Sequence, residues 1–267
     1  MRGYLKGGIV GKTVRFVRWV LRLEIRLHAA GACFFIALSV FPGLLLLLGL
    51  LRYTPLEVEP LGELLAEVLP EALAPAAEEL ILLTYDASSG TALGISALTT
   101  LWSSSRGIYG MIGGLNAVCG VAETRGYLRR RWLSICYTFS FLLVLLLTLG
   151  LHVFGEQLLG IFIVELRPLL LFSVQTFLFA AMFRWLPNRE EDFWQQLPGA
   201  LLGAAGWLVF SDLYSVYIRR FARLTDVYGS VYAVALSMLW LYCCVSIVFY
   251  GALVNRLLGR RKKVKKL

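Results

Sequence analysis

Residues 98–118 read LTTLWSSSRGIYGMIGGLNAV. A helix rises about 1.5 Å per residue, so roughly 20 apolar residues cross about 30 Å of hydrocarbon, and this stretch is long enough. Yet Arg106 sits near its middle. A cation at the bilayer centre costs about 2.5–3.5 kcal/mol on insertion scales. The segment therefore reads as a span only if Arg106 finds carbonyls, an acid, water, an anionic ligand or the headgroup level.

The rest of the chain supports the membrane reading. Of 267 residues, 58% are hydrophobic and 16% charged, and the mean hydropathy is +0.72, which together define an integral membrane protein. A span-length window predicts six helices, over residues 29–51, 91–118, 132–154, 169–185, 199–217 and 230–254. The run LLGIFIVEL, residues 158–166, is about half a span and contains Glu165, so it is expected to be a re-entrant or interfacial piece. The expected fold is an all-α polytopic bundle of six transmembrane helices. A basic interfacial helix (1–28) precedes the membrane domain (29–255), and a basic cytoplasmic tail (256–267) follows it.

Charge placement sets the expected orientation. The net charge of +9 is concentrated at the two ends: Arg2, Lys6, Lys12, Arg15, Arg18, Arg22 and Arg26 precede the first span, and Arg256, Arg260, Arg261, Lys262, Lys263, Lys265 and Lys266 follow the last. Both termini are therefore expected in the cytoplasm, which requires an even number of spans. Arg125, Arg129, Arg130 and Arg131 after the second span fit that side, and residues 52–86, with eight acids and one basic residue, belong outside. Arg219, Arg220 and Arg223 disagree, because they fall on the expected outer side. Anionic lipid headgroups, rather than nucleic acid, are the expected partner of the basic ends.

Two regions outside the spans are amphipathic. Lys12, Arg15, Arg18, Arg22 and Arg26 recur at spacings of three and four with Val14, Val17, Leu21 and Ile25 on a flank, the pattern of a helix lying in the headgroup plane. Phe16 and Trp19 suit that interface better than a solvated tail would require. Residues 55–87 mix acids with leucines and are interrupted by Pro55, Pro60, Pro70 and Pro75, predicting two or three short outer helices.

Little in the chain suggests catalysis. Cys33, Cys119, Cys136, Cys243 and Cys244 lie in or beside apolar runs without metal-ligand spacing and read as small buried hydrophobes. No metal or cofactor is expected. The first apolar run continues past Leu50 with no A-x-A site after it, so it is expected to remain in the mature protein.

On a helical projection of the second span, Thr99, Ser103, Arg106, Gly110, Gly113 and Asn116 share one stripe, while Leu101, Ile108, Ile112 and Leu115 share another. The small and polar stripe is expected to face other helices or a wet cavity, and the second to face lipid. Three roles for Arg106 stay open: a helix crosslink, a contact to anionic or polar cargo, and snorkelling to the inner surface. Asp212 is the main acid within a span able to pair with it; Arg219 or Arg220 are alternative partners for Asp212. Gly199 and Gly203 are expected to permit close helix approach.

Several stretches together resemble a known family. ALSVFPGLLLL in the first span, LWSSSRGIYGMIGGLNAVCGVAETRGYLRRR across the second, and the run from Leu197 through Asn255 are similar to the YihY / virulence factor BrkB family of bacterial inner-membrane proteins, whose older label is ribonuclease BN. Ser39 to Pro42, Trp102 with Ser105 and Arg106, Asn116 with Glu123 and Arg125, Pro198 to Ala200, and Tyr217 with Tyr228, Gly229 and Trp240 carry the resemblance. The family usually has an acid after the Gly-Ala pair of the last span; here Leu253 follows Gly251 and Ala252, so no role for that acid carries over. The resemblance implies six spans in the bacterial inner membrane and favours transport or envelope-lipid handling. The ribonuclease label gains nothing from this sequence, which has only His28 and His152 and no soluble domain.

The expectation is a non-enzymatic transporter or flippase-like carrier of an amphipathic or anionic molecule, with a scaffold that binds lipid or proteins as the alternative. Arg106, Ser103, Thr99, Asn116, Asp212 and Tyr217 are the expected cavity residues, and Arg15, Arg18, Arg22 and Arg26 the expected membrane-surface residues. No nucleotide-binding loop is present, so a carrier would draw on a gradient or a partner.

Overall fold

The computed structural model describes residues 9–51, 78–79, 81–82, 101–159, 162–221 and 225–264. Thr99, Arg223, the start of the second span and nearly all of the expected outer helices lie outside them. Among the described residues the chain is all helical: α1 (Ile9–Leu21), α2 (Ile25–Leu51), α3 (Arg106–Cys119), α4 (Tyr127–Leu159), α5 (Phe162–Trp185), a 3-10 turn (Phe193–Gln196), α6 (Leu197–Phe221) and α7 (Thr225–Val264). Five stretches among these residues are long and apolar enough to cross a membrane: Gly11–Val40, Tyr127–Leu149, Pro168–Trp185, Phe193–Arg220 and Val234–Gly259. The protein is an all-α membrane bundle.

The helices close into a ring. Each of α2 to α7 packs on its neighbour in sequence, α7 returns to pack on α2, and α3 also touches α7 across the ring. The largest apolar core joins Ala29 and Ala32 of α2, Ile112 and Leu115 of α3, Phe183 of α5, Ala200 of α6 and Phe249 of α7. Four glycines in α3 would each cost a free helix about 1 kcal/mol relative to alanine. Three of them allow close helix approach instead. A Cβ at Gly107 would stand 2.7 Å from Ser39 Oγ, one at Gly110 3.1 Å from Phe35, and one at Gly114 would overlap the Phe249 ring.

Several boundaries differ from those expected. The 158–166 piece is divided between two long helices: α4 runs through Leu159 and α5 begins at Phe162. Pro168 is an internal residue of α5. The first helix ends at Leu21, and Glu24 takes a left-handed conformation (φ 48°) at the elbow that follows. Arg26 therefore belongs to α2 rather than to α1. The basic tail continues α7 as helix through Val264, making that helix 40 residues or about 60 Å long.

Cys33, Cys119 and Cys244 are buried, but Cys136 is exposed on α4, a correction to its expected burial; all five cysteines are free. The start of α6 packs on Gly251 and Asn255 of α7, so the last turn of α6 lies at the other end of the bundle. Arg219 and Arg220 form part of the last turn of α6. Cations there meet the negative end of the helix dipole, a local preference that competes with the charge rule.

Candidate functional site

Span two is distorted but not interrupted where its polar residues cluster: Ser105 keeps a helical conformation (φ −68°, ψ −6°), donates its N–H to the Leu101 carbonyl at 3.1 Å and accepts the Tyr109 N–H at 3.0 Å. Residues 101–104 are helical, Ser105 forms a turn, and α3 begins at Arg106. Serine hydroxyls compete for backbone acceptors: Ser104 Oγ donates to the Leu101 carbonyl at 3.1 Å and Ser105 Oγ to the Trp102 carbonyl at 2.8 Å. The Trp102 carbonyl also accepts from the Arg131 guanidinium at the start of α4. That guanidinium lies 4.2 Å above the Trp102 ring and 6.0 Å from the Tyr109 ring centre, while Arg130 covers Tyr109 at 5.3 Å.

These contacts set the level of Arg106. Tyr127, the first residue of α4, stacks edge-on against Tyr109 at 6.0 Å. Tyr109 is ten residues above the end of α3, so about 15 Å of α3 projects past the start of α4. Arg106 is thus level with the first turn of α4 and its three arginines. Its side chain is exposed. Arg131 lies close enough to repel it electrostatically.

The two expected stripes of span two are exchanged in part. Ile112 and Leu115, expected to face lipid, are 1% and 0% exposed, whereas Arg106 and Gly113 are exposed. The reason is the glycine packing: Gly107 and Gly114 give α2 and α7 close approach on the face that also carries Ile112 and Leu115. Large apolar residues here fill a helix–helix seam. Ser103 is half-buried, Asp212 and Tyr217 are exposed on α6, and the structure does not bring Asp212 to Arg106. Tyr217 stacks on Tyr214, whose hydroxyl donates to the Leu236 carbonyl at 2.8 Å.

Asn116 is buried, but in a second cluster. At the end of the bundle where both terminal segments meet, Asn116 Nδ2 donates to Glu123 at 2.7 Å, and its Oδ1 accepts the Asn188 backbone N–H at 2.7 Å. Arg125 forms a 2.8 Å ion pair with Glu123 and donates to the Leu186 carbonyl at 2.7 Å. Asn188 Nδ2 donates to the Ala122 carbonyl and Thr124 Oγ1. The loops after α3 and α5 are thereby tied together. The Arg125 hydrogen bonds, aided by Asn116, hold the Glu123 carboxyl down to about 2 against the opposing effect of burial.

Alongside it, Asn255 of α7 caps α6 from outside the helix. Its Oδ1 accepts the Gly199 N–H at 2.7 Å and its Nδ2 donates to the Gln196 carbonyl at 2.9 Å. Gly199 faces Gly251 so closely that a Cβ on either would strike the other's carbonyl oxygen. The expected close-packing role holds for Gly199, while Gly203 has only ordinary contact with Phe179. Arg256 donates to the Val118 carbonyl at 2.6 Å and stacks over Trp19 at 5.0 Å, drawing α1, α3 and α7 together.

Sequence reasoning gave no structural role to Arg131, Asn188, Gln196 or Asn255. Asn255 was detectable as an amide inside an apolar helix, but its partner lies 56 residues away. Among the described residues no group of three or more His, Cys, Asp or Glu could hold a metal ion.

The fold and these polar clusters define a multi-pass α-helical membrane protein. Residues 17–267 match the family model described as virulence factor BrkB, and the chain belongs to that family. It is 28% identical over 266 residues to the putative ribonuclease-like protein YfkH of Bacillus subtilis, covering 93% of this chain and 95% of that protein. It is also 28% identical to the UPF0761 membrane protein PBPRA3489 of Photobacterium profundum, across 88% of this chain and 77% of the relative. A third relative, the UPF0761 membrane protein Nmul_A0452 of Nitrosospira multiformis, is 30% identical over 94 residues, only 21% of its length. No solved structure matches.

Proposed function

We propose that this protein is a non-enzymatic, flippase-like carrier of an anionic amphipathic molecule in the bacterial inner membrane, with both termini in the cytoplasm. The observation that carries the reading is the exposed Arg106 within electrostatic reach of Arg131 and one helical turn from Tyr109, whose ring Arg130 covers. Cargo entering from the inner leaflet would meet a cationic, aromatic surface there. Arg15, Arg18 and Arg22, all exposed, add positive charge next to the same leaflet in this orientation.

The test is full-length protein in liposomes containing headgroup-labelled phosphatidylglycerol, with a membrane-impermeant quencher reporting transbilayer movement. Wild type should speed movement over empty liposomes and Arg106→Leu should slow it at least five-fold. Equal rates with and without protein would refute the carrier.

One observation favours a non-transporting scaffold. Asn116, Glu123, Arg125, Asn188 and Asn255 bond one another or backbone groups, as expected of a closed bundle end. A scaffold would retain anionic lipid through purification yet give no movement in the same liposomes.

A further inference from the structure

We propose that Arg106 and Arg130, backed by the buried Arg131, form a binding site for the phosphate of an anionic lipid headgroup at the elbow between span two and α4. The site rests on the reading above that this surface engages an anionic amphipath, but it requires no movement of that molecule.

Three observations converge. Arg131 is 3% exposed, has no carboxylate partner among the described residues, and leaves its Nε without a hydrogen-bond partner. Arg130 Nε is likewise buried and unpartnered. A guanidinium taken out of water normally acquires an acid, because desolvated charge is costly when uncompensated. Here the neighbours are aromatic faces and another cation: Trp102 and Tyr109 take Arg131, Tyr109 takes Arg130, and Arg106 repels Arg131. The ion pairs resolved among the described residues, Arg125–Glu123 and Arg189–Glu191, lie elsewhere. Among the described residues nothing neutralises this local excess of positive charge, and a bound anion would.

The surroundings identify that anion. Trp102, Tyr127 and Trp132 are exposed around the cluster, with Trp132 at 67%. Exposed tryptophan and tyrosine at the start of a spanning helix mark headgroup level. Guanidinium forks match phosphate oxygens through paired hydrogen bonds, which a lysine ammonium cannot reproduce. Arg106 is fully available for such bonding. Arg131, held to the Trp102 carbonyl, is a positioning residue that supplies charge from below.

The test measures equilibrium binding of short-chain phosphatidylglycerol, short-chain phosphatidylcholine and inorganic phosphate to delipidated full-length protein, read by tryptophan fluorescence and by native mass spectrometry. Phosphatidylglycerol should bind, phosphatidylcholine should bind at least ten-fold more weakly, and Arg106→Gln with Arg130→Gln should weaken phosphatidylglycerol binding ten-fold or more. Arg15→Gln with Arg18→Gln should leave it within two-fold. Arg106→Lys, which keeps the charge and loses the fork, should fall between, so the site remains testable if the double variant fails to fold. Inorganic phosphate binding as tightly as phosphatidylglycerol would assign the site to free phosphate and overturn its lipid component. Unchanged binding in a folded double variant, or equal binding of the two lipids, would overturn the site. Binding lost in the variant while wild type moves no lipid in liposomes would support the site and reject the carrier; flux lost without a change in binding would do the reverse.

Discussion

Replacing Gly199 with alanine tests how the two long helices α6 and α7 are joined. The added Cβ would overlap the Gly251 carbonyl oxygen and stand 2.6 Å from Asn255 Cγ. Both neighbours are constrained: one is backbone, and the other is held by hydrogen bonds to Gly199 and Gln196. The helices must separate, which costs about 1–3 kcal/mol for overpacking. Separation also strands the Gly199 N–H, a buried donor whose loss costs about 1–3 kcal/mol. Alanine returns at most about 1 kcal/mol in helix propensity. The net loss is about 1–5 kcal/mol, or about 2–20 °C in apparent Tm for a chain of this size. The assay is a heating series on detergent-purified protein, following the monodisperse fraction by size-exclusion chromatography. Gly203→Ala is the control, because its Cβ would meet only Phe179 at 3.5 Å; it should match wild type or gain slightly. A Gly199→Ala protein that melts with wild type, or a Gly203→Ala protein that is the weaker of the two, would refute the close-contact reasoning.

Asn255→Ala should destabilise by about 1–3 kcal/mol through loss of the cap on α6, read as a lower apparent Tm in the same heating series. Glu123 has a lowered pKa of about 2, so its contribution is complete above the ordinary carboxylate range and is lost as pH falls from about 4.5 towards 2; wild type should lose apparent Tm across that interval, and Glu123→Gln should be less stable at pH 7 but nearly flat. Arg131→Leu leaves the Trp102 carbonyl without its charged donor and should lower apparent Tm, with Arg131→Lys intermediate, whereas Arg129→Leu at an exposed position should have little effect. In a cysteine-free background, Glu67→Cys should react with an impermeant thiol reagent in intact cells and Lys262→Cys only after lysis; the opposite pattern would invert the proposed topology.

Composition and apolar length made the membrane class readable, because spanning the hydrocarbon demands about 20 apolar residues whatever the packing partner. Five stretches of the described chain satisfy that demand, four of them overlapping expected spans closely and the first starting earlier, at Gly11. The family resemblance located Asn116, Glu123, Arg125 and Gly199, but not what they touch. Asn188 meets Asn116 across 72 residues of sequence, and Asn255 reaches Gly199 across 56. Hydrogen-bond partners at such separations leave no periodic signal in one sequence.

Arg106 shows where the boundary lies between the two sources of information. The sequence alone established that an arginine interrupts an apolar run and therefore needs compensation. It could not establish depth, since counting residues assumes that each span starts at the membrane surface. Only the tertiary structure shows that α4 begins beside Tyr109, placing Arg106 level with Arg130 and Arg131. Facing was likewise a tertiary decision: leucine and isoleucine suit lipid and a helix seam equally well, and the glycines that admit α2 and α7 turned Ile112 and Leu115 inward.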